Sequence, residues 1–254
     1  MKKAEKRANK LLEVEKKSFG EENLSFAASE AYKLLRANLL FALPDEGKNR
    51  VVGVTSSSSG EGKSTTVLNL SYMLAKAGKK VLLIEADMRL PSVTRRLGLS
   101  QAPGLSNLLA GMSGTKDVIQ ESGLHEKLKI LSAGELPPNP SELLGSKRMK
   151  TLMEVLSTAY DFVFLDLPPV TEVSDAVVAS QLTDGIIMVA RQNYTDRRLL
   201  DESMRQLKFV KAKVLGFVMT HSDAVNRKQK YSKKSYNNGS YNYEKAETGD
   251  EAHG

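Results

Sequence analysis

Short apolar runs alternate with helix-length amphipathic stretches between Arg50 and about His221. Six runs have strand length and are apolar on successive positions, which is typical of strands buried on both faces of a parallel sheet. They are Val51–Thr55, Val81–Glu85, Lys129–Leu131, Phe162–Leu167, Gly185–Ala190 and Val214–Thr220. The pattern therefore predicts an α/β fold with a mostly parallel sheet and helices on both faces.

The two ends of the chain have a different character. Residues 29–43 show helical periodicity, with Tyr32, Leu35 and Leu39 on one face and Ser29 as the expected N-cap. We assign residues 1–28 to a charged N-terminal arm and residues 29–223 to the folded domain. Residues 224–254 are rich in Lys, Ser, Asn, Gly and Tyr, and they offer too little apolar surface to offset the entropy of ordering. We expect this last segment to be a flexible tail.

Composition excludes several classes of site. The chain has no Cys, so it has no disulfides, thiolate metal sites or Cys nucleophiles, and its three His are scattered. No apolar run approaches the length of a membrane span, and the charged N-terminus does not resemble a signal peptide. A cytoplasmic location is the expectation.

Net charge is +7 and is concentrated at the ends. Residues 1–17 hold seven Lys or Arg against three Glu, and residues 226–243 hold five and no acid. A basic end suits an anionic lipid surface, a nucleic acid or an acidic protein, whereas a solvated tail explains the same composition. Charge alone does not choose between these interpretations.

The most specific motif follows the first strand-like run. Residues 56–65 read Ser-Ser-Ser-Ser-Gly-Glu-Gly-Lys-Ser-Thr and lead into helical periodicity, which is the strand, Gly-rich turn and helix order of phosphate-binding loops. The glycines allow backbone N–H groups to approach a polyphosphate, the lysine supplies a cation, and the following serine can ligate Mg²⁺. The expected phosphate-binding residues are Ser59, Gly60, Glu61, Gly62, Lys63, Ser64 and Thr65.

This loop departs from the usual pattern at Ser57, where a glycine is common. A dinucleotide-binding loop is the alternative, because Gly60 and Gly62 begin such a motif and Glu85 ends the next strand-like run. The pair Lys63-Ser64 suits a triphosphate with Mg²⁺ better.

Two further strand-like runs end in carboxylates. Glu85 and Asp87 follow the second run, and Asp166 follows Phe162–Leu165. Acids at the carboxyl ends of parallel strands lie beside the crevice where α/β sheets bind ligands, and Mg²⁺ offsets the cost of burying them. We expect Asp166 to hold Mg²⁺ through water, Asp87 to face the γ-phosphate, and both to be metal-site residues with Ser64 and Glu85.

These motifs, in this order, resemble the bacterial tyrosine kinases that control capsule and exopolysaccharide synthesis in Gram-positive bacteria. The family's phosphate loop reads Pro-Gly-Glu-Gly-Lys-Ser-Thr, and this chain has Ser59 for the proline. The second motif, Asp-x-Asp-x-Arg, corresponds to Glu85 through Arg89, and the third, Asp-x-Pro-Pro, to Asp166 through Pro169. Residues 139–144 (Asn-Pro-Ser-Glu-Leu-Leu) and 174–176 (Ser-Asp-Ala) also resemble the family, as does a Tyr cluster at the C-terminus.

The resemblance implies an ATP-dependent protein-tyrosine kinase with Mg²⁺ as cofactor and a P-loop NTPase-like fold. Lys63, Asp87 and Asp166 are the expected catalytic residues, with Asp87 accepting the tyrosine proton. Glu85 retains the charge of the usual Asp but is one methylene longer, so its contact with the metal is an open question. Arg89 is expected either to bind a phosphate or to pair with Asp87.

The resemblance also implies autophosphorylation of the tail at Tyr231, Tyr236, Tyr241 and Tyr243. It implies a homo-oligomer in which the tail enters a neighbour's active site and Glu30, Lys33 and Arg36 form the contact, with Lys33 in place of the family's first Arg. Expected partners are a membrane-bound polysaccharide co-polymerase that recruits the chain to the inner face of the membrane, Tyr-containing protein substrates and a cognate tyrosine phosphatase. No specific nucleic-acid partner is expected.

A partitioning-type ATPase that docks on a membrane complex without kinase activity is the alternative function. Those ATPases carry a signature Lys four residues before the Gly of Gly-Lys-Ser/Thr, where this chain has Ser58, and they lack the Tyr tail. Both features favour the kinase.

Overall fold

The computed structural model describes residues 19–20, 23–43 and 50–222. Seven strands form one sheet in the order β3-β4-β2-β5-β1-β6-β7. Six strands pair in parallel, and β3 pairs antiparallel with β4 at one edge. The strands are β1 Arg50–Ser56, β2 Val81–Glu85, β3 Ile119–Glu121, β4 Leu128–Leu131, β5 Phe162–Asp166, β6 Gly185–Arg191 and β7 Val214–Thr220.

The helices within the described ranges fall between the strands, apart from the first. They are α1 Phe26–Ala42, α2 Lys63–Lys76, α3 Val93–Leu97, α4 Leu105–Ala110, α5 Thr115–Val118, α6 Pro140–Leu144, α7 Lys147–Ala159, α8 Asp175–Ala179 and α9 Arg197–Phe209, with a 3₁₀ turn at Ser180–Leu182. No helix in residues 19–20, 23–43 or 50–222 is both long and apolar enough to cross a membrane.

Two apolar clusters cover the two faces of the sheet. On β2, Leu82 and Ile84 belong to one cluster, and Val81 and Leu83 belong to the other. Alternate residues of a strand point to opposite faces, so a strand that is apolar at every position is buried on both sides. The predicted doubly covered parallel sheet is confirmed.

The strand predictions are close to the observed bounds, and Val81–Glu85 and Val214–Thr220 match them. The antiparallel edge strand β3 was missed, because three residues are too few for a periodic signal.

The first helix begins at Phe26, three residues before the predicted start at residue 29. The prediction that Ser29 is the N-cap is wrong: the Ser25 hydroxyl accepts the Ala28 N–H, and Ser29 lies buried inside the helix. Leu35 and Leu39 pack on the core as expected, so the apolar face was located correctly. The periodicity therefore identified the helix, but the predicted N-cap lies four residues after the observed one.

The sheet order brings the predicted site together. Strand β5 lies between β2 and β1, and Asp166 is in register with Glu85 on one side and with Val54 on the other. The phosphate loop follows β1, so all three predicted motifs emerge at the carboxyl edge of adjacent central strands. This is where open α/β sheets bind ligands.

Candidate active site

The phosphate loop connects β1 to α2 through two glycines in the left-handed region. Gly60 has φ 80° and Gly62 has φ 96°, conformations that strain a residue with a side chain. Gly62 is the N-cap of α2, and Lys63 and Ser64 begin its first turn. The loop N–H groups and the helix N-terminus together form an anion-binding arrangement.

The side chain of Glu61 folds back into this loop and is fully buried. One carboxylate oxygen accepts the Ser57 N–H at 3.0 Å, and the other accepts the Ser58 hydroxyl at 3.0 Å. The Thr220 hydroxyl, at the end of β7, donates to the Glu61 carbonyl at 2.7 Å. Both carboxylate oxygens of Glu61 are therefore occupied within the loop. Only its backbone N–H is available for the predicted phosphate contact.

Two neighbouring loops hold the outer side of the phosphate loop. Glu172, which follows β5, accepts the Ser59 N–H at 2.7 Å and the Ser59 hydroxyl at 2.9 Å. The Tyr194 hydroxyl, which follows β6, donates to the Ser59 carbonyl at 3.2 Å, and Arg191 donates to the Gly60 carbonyl at 3.2 Å. No sequence pattern pointed to these three residues, because each contacts the loop at its backbone or a single hydroxyl.

Lys63 lies between two of the predicted carboxylates. Its Nζ is 2.9 Å from Oδ2 of Asp87 and 4.0 Å from Oδ1 of Asp166. Burial lowers the pKa of Lys63, but the charges of Asp166 and Asp87 outweigh this effect and raise the pKa above its ordinary value. The lysine is therefore a fixed cation at the start of α2.

Asp166 is buried, and neither of its carboxylate oxygens has a hydrogen-bond partner within the described part of the chain. Burial raises the pKa of Asp166, and the charge of Lys63 together with the neighbouring Ser64 hydroxyl only partly opposes this. A buried carboxylate without hydrogen bonds is costly unless a cation or donor compensates it. An oxygen-seeking Mg²⁺ held directly or through water fits these unpartnered oxygens, with the Ser64 hydroxyl as the second ligand predicted for it.

Glu85 lies next to Asp166 but faces a different helix. Its carboxylate accepts the Val93 N–H at 2.5 Å and the Thr94 hydroxyl, so it fixes the first turn of α3. Burial and the charge of Asp166 raise the pKa of Glu85 to about 7. The structure thus gives Glu85 a role in placing α3, and metal ligation by this residue stays a prediction. In residues 19–20, 23–43 and 50–222, no group of three or more Asp, Glu or His side chains forms a ready metal cluster.

Arg89 has a partner that the sequence did not suggest. Its guanidinium donates to both carboxylate oxygens of Asp175, at 3.0 and 3.1 Å, and Asp175 is fully buried. The Ser141 hydroxyl also donates to Asp175. Of the two roles expected for Arg89, pairing with Asp87 is therefore wrong, and phosphate binding stays a prediction. Arg89 instead joins its own loop to the Asn-Pro-Ser and Ser-Asp-Ala segments.

A cleft of about 340 Å³ opens over the loop. It contains predicted residues from the loop together with Asp87. It also contains four residues that sequence reasoning missed, namely Leu90, Ser92, Arg96 and His221. None of these four belongs to a recognisable motif, and only the folding of α3 and the end of β7 bring them to the cleft.

The remaining predicted site residues lie elsewhere. Glu30 and Lys33 form an exposed ion pair of 2.9 Å along α1, and Arg36 donates to the Met73 carbonyl at 3.1 Å, which ties α1 to the end of α2. The predicted oligomer contact remains untested by these intrachain contacts. Tyr231, Tyr236, Tyr241 and Tyr243 lie outside the described residues.

The chain is similar to several bacterial tyrosine kinases. A family model described as an AAA domain matches residues 49–214. The tyrosine-protein kinase YwqD of Bacillus subtilis is 39% identical over 191 residues, which cover 75% of this chain and 80% of YwqD. The chain belongs to the bacterial tyrosine kinases of the Gram-positive type. Among solved structures, the kinase domain of the Escherichia coli tyrosine kinase ETK is 33% identical with a TM-score of 0.70, covering 76% of each chain.

Some of the related tyrosine kinases are longer than this chain. The tyrosine-protein kinase ptk of Acinetobacter johnsonii is 33% identical over 76% of this chain, but that match covers only 26% of ptk. A partitioning-type relative is also similar: the septum site-determining protein MinD of Pyrococcus horikoshii, solved with Mg-ADP, is 25% identical, with a TM-score of 0.57 over 67% of this chain and 69% of that one. The shared fold is that of P-loop NTPases.

Proposed function

We propose that this kinase transfers the γ-phosphoryl group of ATP to tyrosine hydroxyls, first on its own C-terminal Tyr cluster. The observation that carries the proposal is the convergence of Lys63, Asp87 and Asp166 on the phosphate loop in a member of the tyrosine kinase family. The alternative of a nucleotide switch without kinase activity has no specific observation in its favour.

Each residue has a distinct task in this proposal. The loop N–H groups and Lys63 neutralise charge on the transferring phosphoryl group, because phosphoryl transfer depends mainly on positioning and electrostatic stabilisation. Ser64 and Asp166 would hold Mg²⁺, which when bound neutralises phosphate charge. Tyrosine has an ordinary pKa of about 10, so Asp87 is placed to accept its proton as the new O–P bond forms.

The wider setting is proposed from the family resemblance. A membrane-bound co-polymerase of capsule or exopolysaccharide synthesis would recruit the chain to the inner face of the membrane and activate it. Self-association would present the tail of one copy to the active site of another, through the α1 face that contains Glu30 and Lys33. These points are supported by the family membership. The side chains of Glu30 and Lys33 are also exposed and therefore accessible to another copy.

The deciding experiment incubates the purified chain with ATP and Mg²⁺, with and without the cytoplasmic segment of a candidate activator, and measures phosphotyrosine and ADP separately. A kinase yields phosphotyrosine. ADP release without phosphotyrosine under every condition would contradict the proposal and favour the ATPase switch.

A further inference from the structure

Helix α3 places one arginine on the wall of the nucleotide cleft. Val93, Thr94 and Leu97 are buried against the core, Arg95 is exposed, and Arg96 lines the cleft. The guanidinium of Arg96 donates to the Thr65 hydroxyl at 2.6 Å, so it lies beside the last residue of the phosphate loop.

Hydrogen bonds to Glu85 restrain the position of helix α3. Glu85, at the end of β2, accepts the first N–H of α3 and the Thr94 hydroxyl. Gly98, with φ 63°, ends the helix after Arg96 and Leu97. A five-residue helix held at both ends has little freedom to turn its arginine away from the cleft.

Among the described residues, Arg96 has no carboxylate as an ion-pair partner. Across residues 19–20, 23–43 and 50–222, no carboxylate lies within ion-pair distance of its guanidinium. Arg96 lines the same cleft as Lys63 and the rest of the phosphate loop. A cation beside a phosphate loop, with no carboxylate partner in the part of the chain that the structure describes, favours an anionic ligand.

We propose that Arg96 binds the polyphosphate of the nucleotide, as a second cation beside Lys63 in the same cleft. One guanidinium nitrogen is committed to Thr65, and the remaining N–H groups of the planar fork match phosphate oxygens. The inference extends the proposed function, because it needs only that the cleft binds a nucleoside polyphosphate.

The test measures binding of ATP, ADP and tripolyphosphate by calorimetry in Mg²⁺ buffer. Arg96→Gln should weaken all three by about tenfold or more, since charge-assisted hydrogen bonds to phosphate are lost. The matched control is Arg95→Gln, which removes the same charge one residue away on the exposed side of α3 and should change affinity less than twofold. Equal affinities of Arg96→Gln and Arg95→Gln would overturn the proposal.

The melting temperatures of wild type and Arg96→Gln without nucleotide show whether Arg96 also has a structural role in joining α3 to α2. If Arg96→Gln lowers that temperature, Arg96→Lys keeps a cation without the fork, and it should bind tripolyphosphate more tightly than Arg96→Gln. Absence of any such recovery would also overturn the proposal. Because no phosphoryl transfer is measured, the result is independent of whether the wild-type chain phosphorylates tyrosine.

Discussion

Nζ of Lys63 and Oδ2 of Asp87 lie 2.9 Å apart, although the two residues belong to motifs 24 positions apart in the sequence. The contact joins the first turn of α2 to the loop after β2. The contact restrains the Lys63 side chain and Oδ2 of Asp87, while Oδ1 of Asp87 accepts the Leu90 N–H at 3.0 Å. The base proposed for tyrosine is therefore positioned before any substrate arrives.

We expect Lys63→Met to abolish phosphotyrosine formation, with a loss on the order of 10²–10⁴ in rate, because an electrostatic stabiliser of the transferring phosphoryl group is removed. The measurement is phosphotyrosine formed from ATP and Mg²⁺, with circular dichroism to verify the fold. Labelling near the wild-type level would show that the site is elsewhere.

Asp166→Asn should separate stability from activity. A neutral amide removes the cost of burying the Asp166 charge, while Lys63 keeps its closer partner Asp87 at 2.9 Å. The nucleotide-free protein should therefore be stabilised by about 1 kcal/mol, which raises the melting temperature by about 2–4 °C. The same change should abolish Mg²⁺-dependent phosphorylation. Asp175→Asn is the matched control, because Asp175 is also buried but accepts two hydrogen bonds from Arg89, and its loss should destabilise the protein.

The clamp from Glu172 to Ser59 should replace the restraint that a proline supplies at this position in the family. Glu172→Ala should weaken ATP binding several-fold, because Ser59 leaves φ free where proline fixes it. In a Ser59→Pro background, which has neither the N–H nor the hydroxyl, the same Glu172→Ala change should have little further effect. Calorimetry on the four proteins of this cycle checks the prediction, and strictly additive losses would contradict it.

Stability without nucleotide and Mg²⁺ should carry a pH dependence from Glu85. Its pKa is about 7 in the folded protein, above the ordinary value of 4.5, so the folded state holds a proton that the unfolded state has released. The free energy of unfolding should therefore decrease as pH rises from about 4.5 to 7 and level off above that. Urea titrations at pH 5 and pH 8 should show a smaller difference for Glu85→Gln than for wild type. An unchanged difference would mean that Glu85 does not titrate in this range.

Changing Tyr231, Tyr236, Tyr241 and Tyr243 together to Phe should remove most autophosphorylation while ATP binding persists. Each phosphotyrosine adds about −1.5 to −2 charges, so four would reverse the +5 charge of residues 226–243. Mass spectrometry of wild-type protein after reaction with ATP locates the label. Label found mainly outside these tyrosines would contradict the prediction.

Light scattering of the phosphorylated and Lys63→Met proteins shows whether that charge reversal also dissociates an oligomer.

The features that could be predicted from the sequence are those set by a local pattern or by residues close together in the chain. Each central strand was recognisable because a run of successive apolar residues forms most of it, and the loop from Ser59 to Thr65 was recognisable because its residues act in consecutive order. The partners of Arg89 and Arg96 could not be predicted, because Asp175 and Thr65 reach them only through tertiary packing. Glu85 looked like a metal ligand in sequence, and its contacts to α3 emerged only with the helix in place.

Thr220 ends β7, the outermost strand of the sheet, and its hydroxyl holds the carbonyl of Glu61 inside the phosphate loop. Gly62 leaves the space for this approach, since a Cβ there would lie 3.2 Å from the Thr220 methyl group. An edge strand has backbone groups free to pair with another chain. A chain that pairs along β7 would therefore alter the position of Thr220 and, through its hydrogen bond to Glu61, the conformation of the nucleotide loop. A change at the edge of the sheet would then reach the site of phosphoryl transfer.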